Sequence, residues 1–208
     1  MDQNVIDSVN STFKKWNSTQ AYLKDAELIT EAAPIAAINE LRYAGRIFVA
    51  AALKARDLSD VFSLQNEADL KGKTFEQAML LANQYIDNAN HDITDTLLYF
   101  YNSVLSSLAA QYGEEHLIKN HEVMSKAYAA LNKSKRLVVE SRGNISLREK
   151  NYKEVTILMT ELGSLYPNIR NIEIVLDVDN LRKKSWKHSA MLSAVGVLIG
   201  CFITLILT

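Results

Sequence analysis

The feature that most constrains this sequence is an uninterrupted apolar run at its C-terminal end. Residues 190–208 read AMLSAVGVLIGCFITLILT and contain no charged side chain. A helix of that length spans about 28 Å, close to the roughly 30 Å hydrocarbon core of a bilayer. The alternative interpretation is a buried central helix of a soluble bundle, but such a helix normally keeps a polar stripe. The run therefore predicts one C-terminal transmembrane helix over residues 190–208.

A short basic segment, residues 182–189, precedes the apolar run. Its interface-anchoring residues are four cations and one tryptophan: Arg182, Lys183, Lys184, Trp186 and Lys187. Basic residues beside a membrane helix favour the cytoplasmic side, and tryptophan favours the headgroup level. Residues 1–7 lack the basic region and apolar core of a signal peptide, so we expect insertion to be driven from the C-terminal end. These features predict a single-pass protein with a cytoplasmic N-terminal domain, at the inner membrane if the protein is bacterial.

Small residues line one side of the predicted membrane helix. They recur at helical spacing and are Ser189, Ser193, Gly196, Gly200 and Thr204. Small side chains at this spacing allow two helix backbones to approach closely in lipid. The pattern therefore predicts helix–helix association in the membrane, with self-association as its simplest form.

Composition indicates one helical domain before this run. A chain of 208 residues can bury one core but is short for two domains. Seven glycines and two prolines are few, which favours long helices over many strands. The net charge of −1 gives no reason to expect nucleic acid as a partner. The single cysteine, Cys201, excludes an intramolecular disulfide and a cysteine zinc cluster.

Helical periodicity extends through most of residues 1–181, the predicted soluble domain. The predicted fold is all-α: an antiparallel bundle of four or five long helices, followed by the membrane helix. Residues 168–181 alternate as a strand would, but they also fit a helix that leads into the anchor, which we favour. The predicted helices cover approximately residues 2–28, 31–57, 75–112, 114–142, 147–166 and 168–181.

Local signals predict where these helices start and stop. Thr30 and Thr74 are expected N-caps, and Ser146 is expected to open a capping box with Glu149. Gly113 is expected to interrupt the helical run. Gly143-Asn144 and Tyr166-Pro167 are expected to end two helices.

Two polar clusters are candidates for a metal or catalytic site. Asp87, His91 and Asp95 follow one another at four-residue spacing, which would allow chelation, but they lie opposite the apolar stripe of their helix. A solvated face explains them. His116 and His121 lie near acidic residues at a helix start, where acidic side chains complement the helix dipole. We therefore expect no catalytic residue, metal or cofactor.

One pair of residues resembles a nuclease signature. Arg182 is followed six residues later by His188. This pair resembles the arginine and histidine of HEPN ribonucleases, which are small helical bundles. The resemblance would imply a cation for the RNA phosphate and a general acid or base for the 2′-hydroxyl. It covers these two residues only.

The features combine into one functional hypothesis with two alternatives. We expect a non-enzymatic, tail-anchored protein that self-associates or scaffolds a helical partner at the cytoplasmic membrane face. It would act there as an interaction platform or, once oligomerised, as a membrane-perturbing effector. Its partners would be the lipid bilayer and another copy or a helical protein. The alternatives are a membrane-tethered HEPN-like ribonuclease and an inactive subunit of a larger membrane complex.

Overall fold

The computed structural model describes residues 3–54 and 73–207, with side chains over residues 3–52 and 73–186. All regular structure in these ranges is helical, which confirms the all-α prediction. The six helices are α1 (Gln3–Thr30), α2 (Ile35–Lys54), α3 (Phe75–Tyr112), α4 (Glu114–Asn120), α5 (Glu122–Gly143) and α6 (Ile145–Leu207). Residues 55–72, which include the end of the helix predicted over residues 31–57, lie outside the described residues.

Helix α3 is the centre of the bundle. It packs against α1, α2, α5 and α6. Its buried side chains include Ile86, Ile93, Leu97, Tyr101 and Leu105, which are at most 2% exposed. Leu108 is buried as well, so the core extends into the C-terminal half of this helix.

Contacts with α3 show in which direction α1 and α2 run relative to it. Lys15 meets Asp87, and Tyr22 meets Thr94, both with a separation of 72 residues. A constant separation means that α1 and α3 run parallel. The Glu40–Asn88 and Tyr43–Tyr85 contacts instead show that α2 runs antiparallel to α3.

Helix α6 also runs parallel to α3. Thr94 contacts Thr156 near the middle of the bundle, and Tyr112, the last residue of α3, contacts Asp177. The intervening helices α4 and α5 return the chain, and α5 packs antiparallel along α6. The predicted antiparallel bundle is thus a mixed one, in which α1, α3 and α6 point the same way.

Some predicted helix ends are confirmed. Thr74 caps α3, since its hydroxyl accepts from the Gln77 N–H at 3.3 Å and Gln77 accepts from the Thr74 N–H at 3.0 Å. Gly113 ends α3 with a φ of 82°, a conformation that glycine adopts without a steric penalty. Asn144 follows the end of α5 at Gly143.

Other predicted ends are wrong. Thr30 does not cap α2, because α1 continues through it and its hydroxyl donates to the Ala26 carbonyl at 2.8 Å. The predicted helix over residues 114–142 divides at His121, whose backbone is extended. Asn144, rather than Ser146, caps α6: its side-chain oxygen accepts from the Ser146 N–H at 3.1 Å.

The last helix is longer than predicted. It contains 63 residues and continues through Pro167, so the predicted end at Tyr166-Pro167 is wrong. Residues 168–181 are helical, and the strand alternative is therefore excluded. The helical backbone extends on to Leu207, giving α6 a length of about 95 Å.

The predicted transmembrane helix falls on residues whose side chains lie outside the description. Residues 190–207 belong to α6, and Thr208 is not described. Over residues 3–52 and 73–186, where the structure describes the side chains, no helix is long and apolar enough to cross a membrane.

Candidate functional site

A line of polar side chains crosses the interior of the bundle along α3, between α1 and α6. It contains the predicted solvated residues Asp87, His91 and Asp95. That prediction is wrong for His91, which is only 8% exposed, whereas Asp87 and Asp95 are half-buried where α1 and α6 pack over the two sides of this face. We call this line and its partners on α1 and α6 the polar ladder.

The α1 side of the polar ladder joins three parallel helices. Lys15 contacts both carboxylate oxygens of Asp87 at 2.7 Å. The hydroxyl of Thr94 lies 3.2 Å from that of Tyr22 and 3.1 Å from that of Thr156, so one buried threonine connects α1, α3 and α6.

The α6 side of the polar ladder surrounds His91. Tyr152 donates its hydroxyl to the Asp95 carboxylate, with distances of 3.0 and 3.1 Å to the two oxygens. Its ring packs on the imidazole of His91 with centroids 4.1 Å apart. Glu149 approaches the Nε2 of His91 to 3.9 Å, and Arg148 lies 5.9 Å from the centre of the Tyr152 ring.

Burial controls the protonation of these groups. It lowers the pKa of His91, and the Arg148 charge lowers that pKa further, against the opposing effect of the Glu149, Asp87 and Asp95 carboxylates. The Nδ1 atom of His91 is buried and has no hydrogen-bond partner. Burial and the Asp95 carboxylate raise the pKa of Tyr152 to about 12. The site therefore favours a neutral imidazole beside a neutral phenol.

The geometry of the polar ladder suits a structural role. Among the described residues, no group of three or more histidine, cysteine or acidic side chains is arranged to hold a metal ion. His91 lines none of the three cavities described below. Buried polar groups that pair only in one alignment set the register between helices. We interpret the polar ladder as the element that aligns α1, α3 and α6.

The other predicted histidine cluster lies on the surface. His116 is exposed on α4, and its Nδ1 lies 3.0 Å from the side-chain nitrogen of Asn120. His121 separates α4 from α5. Arg182, the first residue of the HEPN-like pair, is exposed on α6, and the side chain of His188 lies outside the described residues.

The basic segment extends past the end of α3. Arg182, Lys183, Lys184 and Trp186 are all exposed, and Trp186 is 74% exposed. Lys187 and the predicted small-residue face (Ser189, Ser193, Gly196, Gly200 and Thr204) belong to the helical backbone of α6, but their side chains lie outside the description. The basic segment and the small-residue positions thus follow one another along a single helix.

An open cleft of about 560 Å³ lies where α6 passes the end of α3. Its wall contains Asp177, whose carboxylate accepts from the Tyr112 hydroxyl and from Gln111 Nε2 at 2.9 Å. Burial and the neighbouring Asp177 raise the pKa of Tyr112 to about 12. Leu181, Lys183 and Lys184 also line the cleft. This contact fastens the last turn of α3 to α6.

Two apolar grooves lie along α1. One of about 240 Å³ is bordered by Trp16 of α1 and by Gly45 of α2, and a Cβ atom at Gly45 would lie 2.6 Å from the Trp16 ring. The other, of about 280 Å³, lies between α1 and α6 and includes Ile29 and Gly163. The second groove also includes Tyr22, Asp25 and Thr160.

No protein-family model, no curated protein and no solved structure matches this chain.

Proposed function

We propose that the chain is a tail-anchored, single-pass membrane protein whose bundle assembles with other copies or with a helical partner at the cytoplasmic membrane face. The observation that carries this proposal is the continuity of α6. One helix contains core residues of the bundle, the exposed basic segment and the apolar run, in that order along its axis.

The spacing along α6 suits a bundle that stands close to a bilayer. From Asp177, beside the end of α3, to Ala190, the first residue of the apolar run, the helix rises about 20 Å. The headgroup region adds about 5–8 Å to each side of the hydrocarbon core. The exposed cations at positions 182–184 then lie about 9–12 Å from the hydrocarbon boundary. Each such cation is attracted to an anionic leaflet by about 1 kcal/mol.

The interior of the bundle supports a non-enzymatic function. Its most unusual polar groups, those of the polar ladder, are occupied in contacts between helices. The bundle is then a rigid body whose outer surface is presented at a set height above the membrane. Such a body serves as an interaction platform.

Anchoring is tested with the full-length chain in lipid vesicles. We expect it to float with the vesicles and to resist extraction at alkaline pH, because burial of the apolar run makes insertion effectively irreversible. A variant with Leu198→Lys and Ile203→Lys should be extracted, since each charge near the bilayer centre costs about 2.5–3.5 kcal/mol. Extraction of the unchanged chain would contradict the proposal.

Association through the tail is tested separately, by sedimentation of the full-length chain in detergent. Gly196→Leu with Gly200→Leu should weaken self-association, because the larger side chains prevent close approach of the helices. Leu198→Ile with Leu205→Ile is the matched control on the opposite side of the helical projection. A monomeric unchanged chain, or equal behaviour of both variants, would exclude association through the small-residue face.

A further inference from the structure

Beyond Pro167, α6 is apolar on two opposite faces. The inner face packs against the bundle core and consists of Ile169, Ile172 and Leu176. The outer face consists of Ile174, Val178 and Leu181, which are 57%, 41% and 66% exposed. Because successive helical residues are about 100° apart, Ile172 and Ile174 point in nearly opposite directions. The bundle therefore covers one apolar face and leaves the other in solvent.

The outer face follows a heptad pattern. Its residues are separated by four and then three positions, which is the spacing of the contact positions in a coiled coil. Upstream, the same register falls on Ser164, Pro167 and Asn171, all exposed, so the apolar pattern begins at Ile174. Downstream it passes Ser185 and His188 and then continues in the apolar run. The positions there are Leu192, Val195, Ile199 and Phe202.

We propose that the outer face of α6 binds the outer face of a second copy of this chain, as a parallel two-helix contact that starts at Ile174. This inference rests on the proposed function in one respect: two copies anchored in the same membrane have parallel α6 helices. It adds the face, the register and the orientation of the contact, and it places the contact outside the bilayer.

Charge supports a second copy as the occupant. In this register Asp177 and Arg182 are the two flanking positions that meet across a parallel pair, five residues apart. Asp177 accepts hydrogen bonds from Tyr112 and Gln111 of its own chain but stays exposed, so its carboxylate can also meet Arg182 of the second copy. Two-fold symmetry produces this opposite-charge contact twice. A membrane surface fits less well, because an anionic leaflet would repel the Asp177 carboxylate at the edge of the face.

The position of the bundle permits the contact. Each bundle packs on the inner face, opposite the proposed contact. In a parallel pair the two bundles therefore lie mainly on the outside, and only the end of α3, which bonds to Asp177 at the flank of the outer face, comes near the partner. The small-residue face, at Gly196 and Gly200, lies to the side of the heptad positions, so the two contacts can be tested independently.

The test is cysteine crosslinking in the full-length chain, with Cys201→Ser as the background. Single cysteines are placed by Val178→Cys and Leu181→Cys on the outer face, and by Asp179→Cys and Lys183→Cys away from it. After mild oxidation, we expect at least about fivefold more disulfide dimer at 178 and 181 than at 179 and 183. Equal yields at the four positions, or no dimer at any, would overturn the inference.

A charge variant supplies a second readout. In the Val178→Cys chain, Arg182→Asp should reduce the dimer yield severalfold because it places two acidic groups together. Lys183→Asp makes the same change in net charge on the opposite side of the helix and should leave the yield unchanged. An equal loss in both variants would show a general charge effect and overturn the proposed register.

Membrane anchoring, by flotation, and helix pairing, by crosslinking, are measured separately on the same samples. A chain that floats with vesicles but gives position-independent crosslinks overturns the paired helix and leaves the anchor intact. Crosslinking is also measured in detergent micelles, where it does not depend on insertion. Dimer specific to 178 and 181 there supports the pairing even if flotation fails and the anchor proposal is rejected.

Discussion

At the scale of single residues, His91 has an unusual environment for a titratable group. The imidazole packs on the Tyr152 ring, and its Nδ1 atom is buried without a hydrogen-bond partner. Two carboxylates on its own helix, Asp87 and Asp95, and Glu149 on α6 favour its charged form. Burial and the Arg148 charge favour the neutral form and outweigh the three carboxylates, so the pKa of His91 lies below its ordinary value of 6.5.

This lowered pKa predicts a stability that depends on pH. Below the ordinary pKa the unfolded chain binds the proton more readily than the folded one, so the free energy of unfolding rises with pH in that window. The contribution of neutral His91 is therefore complete above about pH 6.5 and is lost as the pH falls through the lowered pKa of the folded state. Thermal unfolding from pH 8 to 5 measures it. His91→Gln should flatten the decline, and His116→Gln, at an exposed position, should not; equal slopes in all three proteins would contradict the prediction.

Gly45 offers a second prediction at this scale. Alanine inside a helix is normally favoured over glycine by about 1 kcal/mol. At Gly45, however, a Cβ atom would lie 2.6 Å from the Trp16 ring, so Gly45→Ala should destabilise the bundle by about 1–3 kcal/mol. Gly143→Ala is the control, since a Cβ there meets nothing within 4 Å, and it should be neutral or stabilising. Chemical denaturation measures both, and a stabilising Gly45→Ala would contradict the close approach of α1 and α2.

At the scale of elements, the structure shows which helix ends can be predicted from local sequence signals. Thr74 and Gly113 could be predicted because a capping box and a left-handed glycine are properties of a few adjacent residues. The prediction for Thr30 is wrong because a threonine hydroxyl can donate to the carbonyl four residues back inside a helix as readily as it can cap the next helix.

The polar ladder could not be predicted from one helix at a time. Periodicity places Asp87, His91 and Asp95 on the polar side of α3, and a polar side is normally exposed. Burial became possible because α1 and α6 supply Lys15 and Tyr152 as partners at matching heights. Such matches depend on helix direction and register, which a single sequence does not contain.

Pro167 leads to a prediction about α6. A proline inside a helix removes one backbone hydrogen bond and crowds the carbonyl four residues earlier, here that of Gly163. Pro167 is exposed, so Pro167→Ala should restore the bond without loss of packing and stabilise the protein by about 1–3 kcal/mol. Lys150→Ala, an exposed change on the same helix, should shift stability by less than about 0.5 kcal/mol. No gain from Pro167→Ala in urea denaturation would count against an uninterrupted α6.

At the scale of the whole molecule, the bundle and the tail share α6 but not a core. The inner face ends at Leu176, and residues 179–186 are exposed on α6. A chain that stops after Trp186 should therefore keep the helix content and cooperative unfolding of the bundle while failing to float with vesicles. Circular dichroism and flotation measure the two properties. Loss of cooperative unfolding in the shortened chain would show that residues 187–208 belong to the core.

The continuity of α6 has a mechanical consequence. A helix that enters the bundle without a hinge makes the bundle and the tail a single lever about 95 Å long. Tilting the tail by about 10° would displace the far end of the helix, at Ile145, by roughly 16 Å. Rotation of the tail about its own axis would turn the bundle by the same angle. In the proposed membrane arrangement, changes in bilayer thickness or in neighbouring proteins would thereby reach the bundle as movement.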